Sequence, residues 1–123
     1  MKNIVIAGLL TIFSVGVSSC TPPKNAEATA QNSPSIKKQI ENGAFVVDVR
    51  TPEEFAAGTF QGAVNIPLDE VQNRISEFQG KPSVIVFCKS GNRSGKAKNI
   101  LEENGMKNVT NGINVSNMED ETK

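Results

Sequence analysis

Val84-Ile85-Val86-Phe87-Cys88-Lys89-Ser90-Gly91-Asn92-Arg93-Ser94 decides how the chain is read. Its first four residues form an apolar, mostly β-branched run, which predicts a buried strand. Ala97, Ile100 and Leu101 follow at helical spacing, so a lone cysteine stands where a strand ends and a helix begins. Parallel α/β proteins keep their chemistry at the carboxyl ends of strands, where the N–H groups of the next helix's first turn point outward. Those donors, with Lys89 and Arg93 beside them, favour a thiolate and hold an anion near the sulfur. Ser90, Gly91 and Asn92 are small enough to let the loop curl around Cys88. Cys88 is therefore the candidate nucleophile, and Lys89, Ser90, Gly91, Asn92, Arg93 and Ser94 are the candidate substrate-binding set. Two plainer readings stand beside this one: a structural thiol closing a strand, and two solvated surface cations.

Composition narrows the chemistry. The 123 residues allow one small domain and an N-terminal segment. Lys and Arg number 13, as do Asp and Glu; no basic excess points to nucleic acid and no acidic tract forms a tail. Histidine is absent, which excludes Cys/His and Ser/His pairs and every zinc site built on imidazole. Cys20 and Cys88 are the two cysteines, so there is no CxxC redox pair. A nucleophile here is activated by backbone dipoles and cations, and neither a metal nor a cofactor is expected.

Residues 1–19 read as a targeting segment. Lys2 opens it, Ile4 to Val17 is mostly apolar, and Val17-Ser18-Ser19-Cys20 ends it. The apolar run falls short of the roughly 20 residues a membrane span needs. This end resembles a bacterial lipoprotein signal, whose lipobox sets an aliphatic and two small residues before the modified cysteine. The resemblance implies lipidation of Cys20 and an extracytoplasmic, membrane-anchored protein, most naturally on the periplasmic side. An uncleaved anchor, or cleavage after Ala30 in Ala28-Thr29-Ala30, is the alternative. Residues 20–33 lack large apolar side chains over Thr21–Ser33 and read as a flexible tether.

Residues 34–123 read as the folded domain. Ser33-Pro34 opens a helix carrying Ile36 and Ile40, which Gly43 closes. Ala44–Val49 is a strand, and Thr51-Pro52-Glu53-Glu54 has capping-box spacing at the head of a short helix. Gly62–Pro67 is a short strand; Leu68, Val71, Ile75 and Phe78 then recur as on one amphipathic helix. After the central strand and its helix, Asn108-Val109-Thr110 is a last short strand, and the polar tail beyond Val115 reads as a frayed helix. Strands and helices alternate, which argues for a parallel sheet covered on both faces.

Three stretches together resemble the rhodanese family of sulfurtransferases. They are Asp48-Val49-Arg50-Thr51-Pro52-Glu53-Glu54-Phe55 with Gly58–Pro67, Cys88–Ala97, and Gly105–Gly112. The small single-domain periplasmic members are the most similar in layout. The resemblance implies a three-layer α/β fold with a five-stranded parallel sheet, and Cys88 as the carrier of a persulfide. It also implies loop-supporting roles for three residues: Arg50 paired with Glu54, and Asp48 bracing the active-site loop. Thr59 stands where the family usually has His, a change expected to cost packing or a hydrogen bond. Asn111-Gly112-Ile113-Asn114-Val115 stands where a glycine pair and a bulky residue are usual.

The chemistry implied is two-step transfer. A thiolate takes the outer sulfur of thiosulfate, and a thiophile such as cyanide or a small thiol removes it. The cationic loop resembles those of thiosulfate users more than those of mercaptopyruvate users. Phosphatases and arsenate reductases related to this loop have five residues between Cys and Arg; here Lys89 to Asn92 are four, a ring sized for one sulfur atom. Ser90–Ala97 also fails as a Walker loop, with Ser for the first Gly and Ala for the metal-binding Ser/Thr. A persulfide carrier or a non-turnover interaction domain is the remaining alternative.

Overall fold

A computed structural model describes Gly16 and residues 33–123. Residues 33–123 form one compact unit. Apart from Gly16, the signal segment expected from the sequence, with Cys20 and the tether up to residue 32, lies outside the described residues.

The helix α1 (Ile36–Glu41) starts two residues later than Ser33-Pro34 suggested. Ser35 is its cap, accepting from the Lys38 N–H at 3.3 Å, while the Pro34 carbonyl is taken by Gln39 Nε2 at 2.7 Å. Then come β1 (Phe45–Asp48), α2 (Pro52–Ala56), β2 (Val64–Asn65) and α3 (Leu68–Val71), followed by a 3-10 segment (Gln72–Glu77). Finally β3 (Val84–Cys88), α4 (Asn92–Glu103), β4 (Val109–Asn114) and α5 (Val115–Asp120) complete the domain. The capping box of α2 forms as its spacing requires: Glu54 N–H to Thr51 Oγ1, and Thr51 N–H to Glu54 Oε2.

All pairs in the sheet are parallel, in the order β2-β1-β3-β4. Four strands, not five, are present among the described residues. Every β-branched apolar run in this region is already used, and no further one is available to make a fifth.

Alternation along β3 builds two cores. Val84, Val86 and Cys88 face one side with Val47, Val49, Val71, Phe78, Ala97 and Leu101. Ile85 and Phe87 face the other with Ile36, Val46 and Met118. All five β3 residues are buried, as a central strand of a parallel sheet requires. Each fully buried Val, Leu, Ile or Phe contributes about 1.5–3 kcal/mol, so the sulfur is carried by the best-packed element.

Three further expectations are corrected. The amphipathic stretch after Pro67 is not one helix: it breaks at Arg74 (φ −119°), whose guanidinium reaches both Glu70 and Glu77. Its apolar periodicity still holds, since Val71 and Phe78 are buried. The last strand runs six residues rather than three. The tail is an ordered helix: Asn114 caps α5 by accepting from the Asn117 N–H at 2.8 Å, and Met118 is fully buried.

Candidate active site

The turn from β3 into α4 is made by Gly91, which caps the helix at φ +88°. A side chain is disfavoured there twice over. The left-handed backbone suits glycine, and a Cβ would sit 3.2 Å from Ile113 Cγ2. This curl points the Gly91 N–H at Cys88 Sγ, 3.0 Å away. Ser94, fully buried in the first turn of α4, places its Oγ 3.4 Å from the same sulfur.

Burial pushes the Cys88 thiol up, while the Ser94 hydroxyl, whenever its hydrogen turns to the sulfur and not to Asn111, and the N–H groups of Ser94, Ser90 and Gly91 pull it down further. The outcome is a thiol below its ordinary value. The loop thus favours a negative sulfur chiefly by aimed donors.

The two cations differ. Lys89 is exposed at the rim, as are Ser90 and Asn92. Arg93 is not a free charge: its Nη1 and Nη2 donate to Glu54 at 2.7 and 3.0 Å. That pair holds the Glu54 carboxyl down at about 2, first through the Arg93 hydrogen bond and then through the Thr51 N–H.

The expected pairing of Arg50 with Glu54 is therefore corrected. Arg50 turns back on Asp48, donating from Nη2 to Oδ2 at 2.7 Å and from Nε to Oδ1 at 3.0 Å. Asp48 is fully buried, and a carboxylate there requires a counter-charge; Arg50, two residues on along an extended chain, is the nearest. Glu54 projects from the first turn of α2 instead and meets Arg93. So Glu54 reaches the active-site loop, and Asp48 braces the turn after β1.

Thr59 also joins this network, donating from Oγ1 to Asp48 Oδ2 at 2.9 Å. The Thr hydroxyl thus makes a hydrogen bond from the position where the family usually has His. Asn65, which the sequence did not single out, ties the Asp48 and Arg50 carbonyls together at 3.0 Å each. An open cleft of about 360 Å³ lies alongside, lined by Val49, Pro67 and Leu68 with Arg50 and Arg93, which it shares with the loop.

One support comes from a bulge in β4. The register with β3 slips between Val86, opposite Asn111, and Phe87, opposite Ile113, leaving Gly112 as the extra residue. Gly112 has no room for more: a Cβ would collide with Met118 Sδ and come within 3.1 Å of Ile85 Cγ2. The slip aims the Asn111 amide at the loop, where Nδ2 donates to the Gly91 carbonyl at 3.0 Å.

Comparison with known proteins agrees with this geometry. Residues 33–114 match the profile of the rhodanese-like domain. The thiosulfate sulfurtransferase PspE of Escherichia coli is 45% identical over 67 residues, 53% of this chain and 64% of that protein. A Bacillus subtilis protein, YrkF, whose name proposes a sulfur-carrier role, is 31% identical over 100 residues, 73% of this chain and 54% of the other. The chain thus spans between about half and two-thirds of the length of these curated relatives. Among solved structures, a rhodanese with anions from E. coli superposes with a TM-score of 0.56 at 39% identity, over 60% of this chain and 89% of that one. A loop that presents backbone donors to one sulfur, on a parallel sheet covered on both faces, and a profile match over most of the domain lead to one assignment: the chain belongs to the rhodanese-like domain family.

Proposed function

We propose that the chain is a sulfurtransferase that moves sulfane sulfur from thiosulfate to a thiophilic acceptor through a persulfide on Cys88. The observation that carries this reading is the Gly91 N–H, 3.0 Å from Cys88 Sγ at the end of a buried strand. In the first step the thiolate attacks the outer sulfur of thiosulfate; the new S–S bond forms as the old one breaks, and sulfite leaves with the electron pair. The persulfide keeps the negative charge, and the loop's N–H groups are placed to hold it. Cyanide or a thiolate then takes the terminal sulfur and regenerates the Cys88 thiolate.

Lys89 steers the dianion from the rim, while Arg93, offset by Glu54, contributes shape more than net charge. We also propose that a lipid on Cys20 tethers the domain on the extracytoplasmic side of a bacterial membrane. Two acyl chains give a stable anchor that one does not.

The test is turnover. The protein should form thiocyanate from thiosulfate and cyanide repeatedly, and Cys88→Ser should abolish this. A stable persulfide formed once per chain, without turnover, would favour the carrier reading that the B. subtilis relative supports. Mass spectrometry of the native N-terminus tests the anchor: a diacylated Cys20 is expected, and an unmodified one removes it.

A further inference from the structure

The hydrogen bonds around Ser94 do not leave its hydroxyl free. Asn111 Nδ2 donates to the Gly91 carbonyl at 3.0 Å, and Asn111 Oδ1 accepts from the Ile113 N–H at 2.9 Å. A backbone carbonyl cannot donate and a backbone N–H cannot accept, so these two contacts fix which end of the amide is oxygen. Ser94 Oγ lies 2.7 Å from that oxygen. A carbonyl oxygen has no hydrogen, so the bond between them uses the one hydroxyl hydrogen of Ser94. Toward Cys88 Sγ, 3.4 Å away, Ser94 is left with lone pairs, which accept from an S–H and repel a thiolate.

We propose that Asn111 is a positioning residue for Cys88: by taking the hydroxyl hydrogen of Ser94 it withholds a donor from the sulfur and sets how readily that sulfur carries negative charge. With Asn111 in place, ionising the thiol sends its proton to solvent and requires Ser94 either to face the thiolate with a lone pair or to give up a 2.7 Å bond. Without it, the hydroxyl turns to the sulfur at no such cost. The same balance applies to a persulfide anion bound there. Ile113 shows how firmly the amide is placed: it is held at φ +69°, a left-handed backbone that a β-branched side chain disfavours, with its N–H on Asn111 Oδ1.

The other charges around the sulfur are accounted for. Arg93 of α4 faces it, paired with Glu54 of α2. From the β1 side come Asp48 and Arg50, bound to each other. Lys89 in the loop, Asp69 and Glu70 of α3, and Lys96 of α4 are exposed. Strand β4 carries no titratable group. Asn111 acts through Ser94, not through charge.

The experiment follows the ultraviolet absorbance of the thiolate against pH in the full chain carrying Cys20→Ser, which leaves Cys88 as the one thiol. The chain has no Trp or Tyr to obscure it. Asn111→Ala should lower the titration midpoint by about half to one pH unit. In a Ser94→Ala background the same substitution should give no drop. Asn111→Asp, which keeps an acceptor for Ser94 and adds negative charge, should raise the midpoint, and circular dichroism reports whether each variant is folded. A midpoint that stays or rises in Asn111→Ala, or a drop that persists without Ser94, overturns the proposal. Should Asn111→Ala not fold, Ser94→Ala alone decides: a midpoint at or below that of wild type supports the proposal, and a clear rise overturns it. The readout needs no sulfur donor, so it stands apart from the assignment of sulfur transfer.

Discussion

Glu54 and Arg93 stand 39 residues apart in the chain and meet in a two-pronged ion pair, with N–O distances of 2.7 and 3.0 Å. The pair joins the head of α2 to the first turn of α4. It is the direct link between the element after β1 and the loop that curls around the sulfur.

The pH dependence of this link has a definite sign. The folded Glu54 value, about 2, lies below its ordinary 4.5. Its contribution to stability is therefore fully present above about 4.5 and disappears as pH falls through about 2. Both partners are partly exposed, so the contribution is small and weakens with salt. Glu54→Gln should be less stable than wild type near neutral pH and indistinguishable from it near pH 2. Urea denaturation at the two pH values checks this; an equal gap at both would refute the linkage.

Removing the other carboxylate should be more damaging. Asp48 is fully buried and receives Arg50, the Arg50 N–H and Thr59. Asp48→Ala should destabilise the domain by about 3 kcal/mol, because it leaves the Arg50 guanidinium half-buried without its partner. Thr59→Ala, which removes one neutral donor, should cost about 1 kcal/mol. Denaturant midpoints with unchanged slopes would support both values.

At Gly91 stability and reactivity should move together. Gly91→Ala places a side chain at φ +88° and against Ile113, a strain of about 1–2 kcal/mol. Relief of that strain swings the N–H away from the sulfur. The variant should lose stability by that amount, and its Cys88 should titrate at higher pH and alkylate more slowly at neutral pH. Normal alkylation in a destabilised variant would show that the N–H is not what holds the thiolate.

At Gly112 the expected effect is packing alone. Gly112→Ala drives a methyl into the fully buried Met118 and should cost about 1–3 kcal/mol. Combined with Met118→Ala, the loss should be less than the sum of the two single changes, because the cavity of one receives the methyl of the other. Additive losses would place the clash elsewhere.

The parts of the molecule that local pattern governs were legible in the sequence. The apolar run Val84–Phe87, the turn residues after Cys88 and the capping box at Thr51 and Glu54 each act over a few residues, and each took the form expected. Which charge meets which was not legible. Arg50 was expected to pair with Glu54, but burial of Asp48 set a demand that outranked it. The length of β4 was missed for a related reason: Asn111, Gly112 and Asn114 are poor strand formers, and only pairing with β3 holds them extended. The C-terminal helix is held by Met118, buried beneath the sheet, by Val115 packed on the same core and by the Asn114 cap, and no periodicity in a polar tail announces them.

The placement of β3 has a consequence for the lifetime of anything attached to Cys88. The strand is bonded to β1 on one side and β4 on the other, and it is buried on both faces. Its amides should be among the last in the domain to exchange with deuterated solvent, opening only when the whole fold opens. Breathing of the protein therefore gives reductants and stray thiols no back door to the sulfur. They reach it through the mouth of the loop, and a charge stored on Cys88 should persist for as long as the domain stays folded and no acceptor enters by that route.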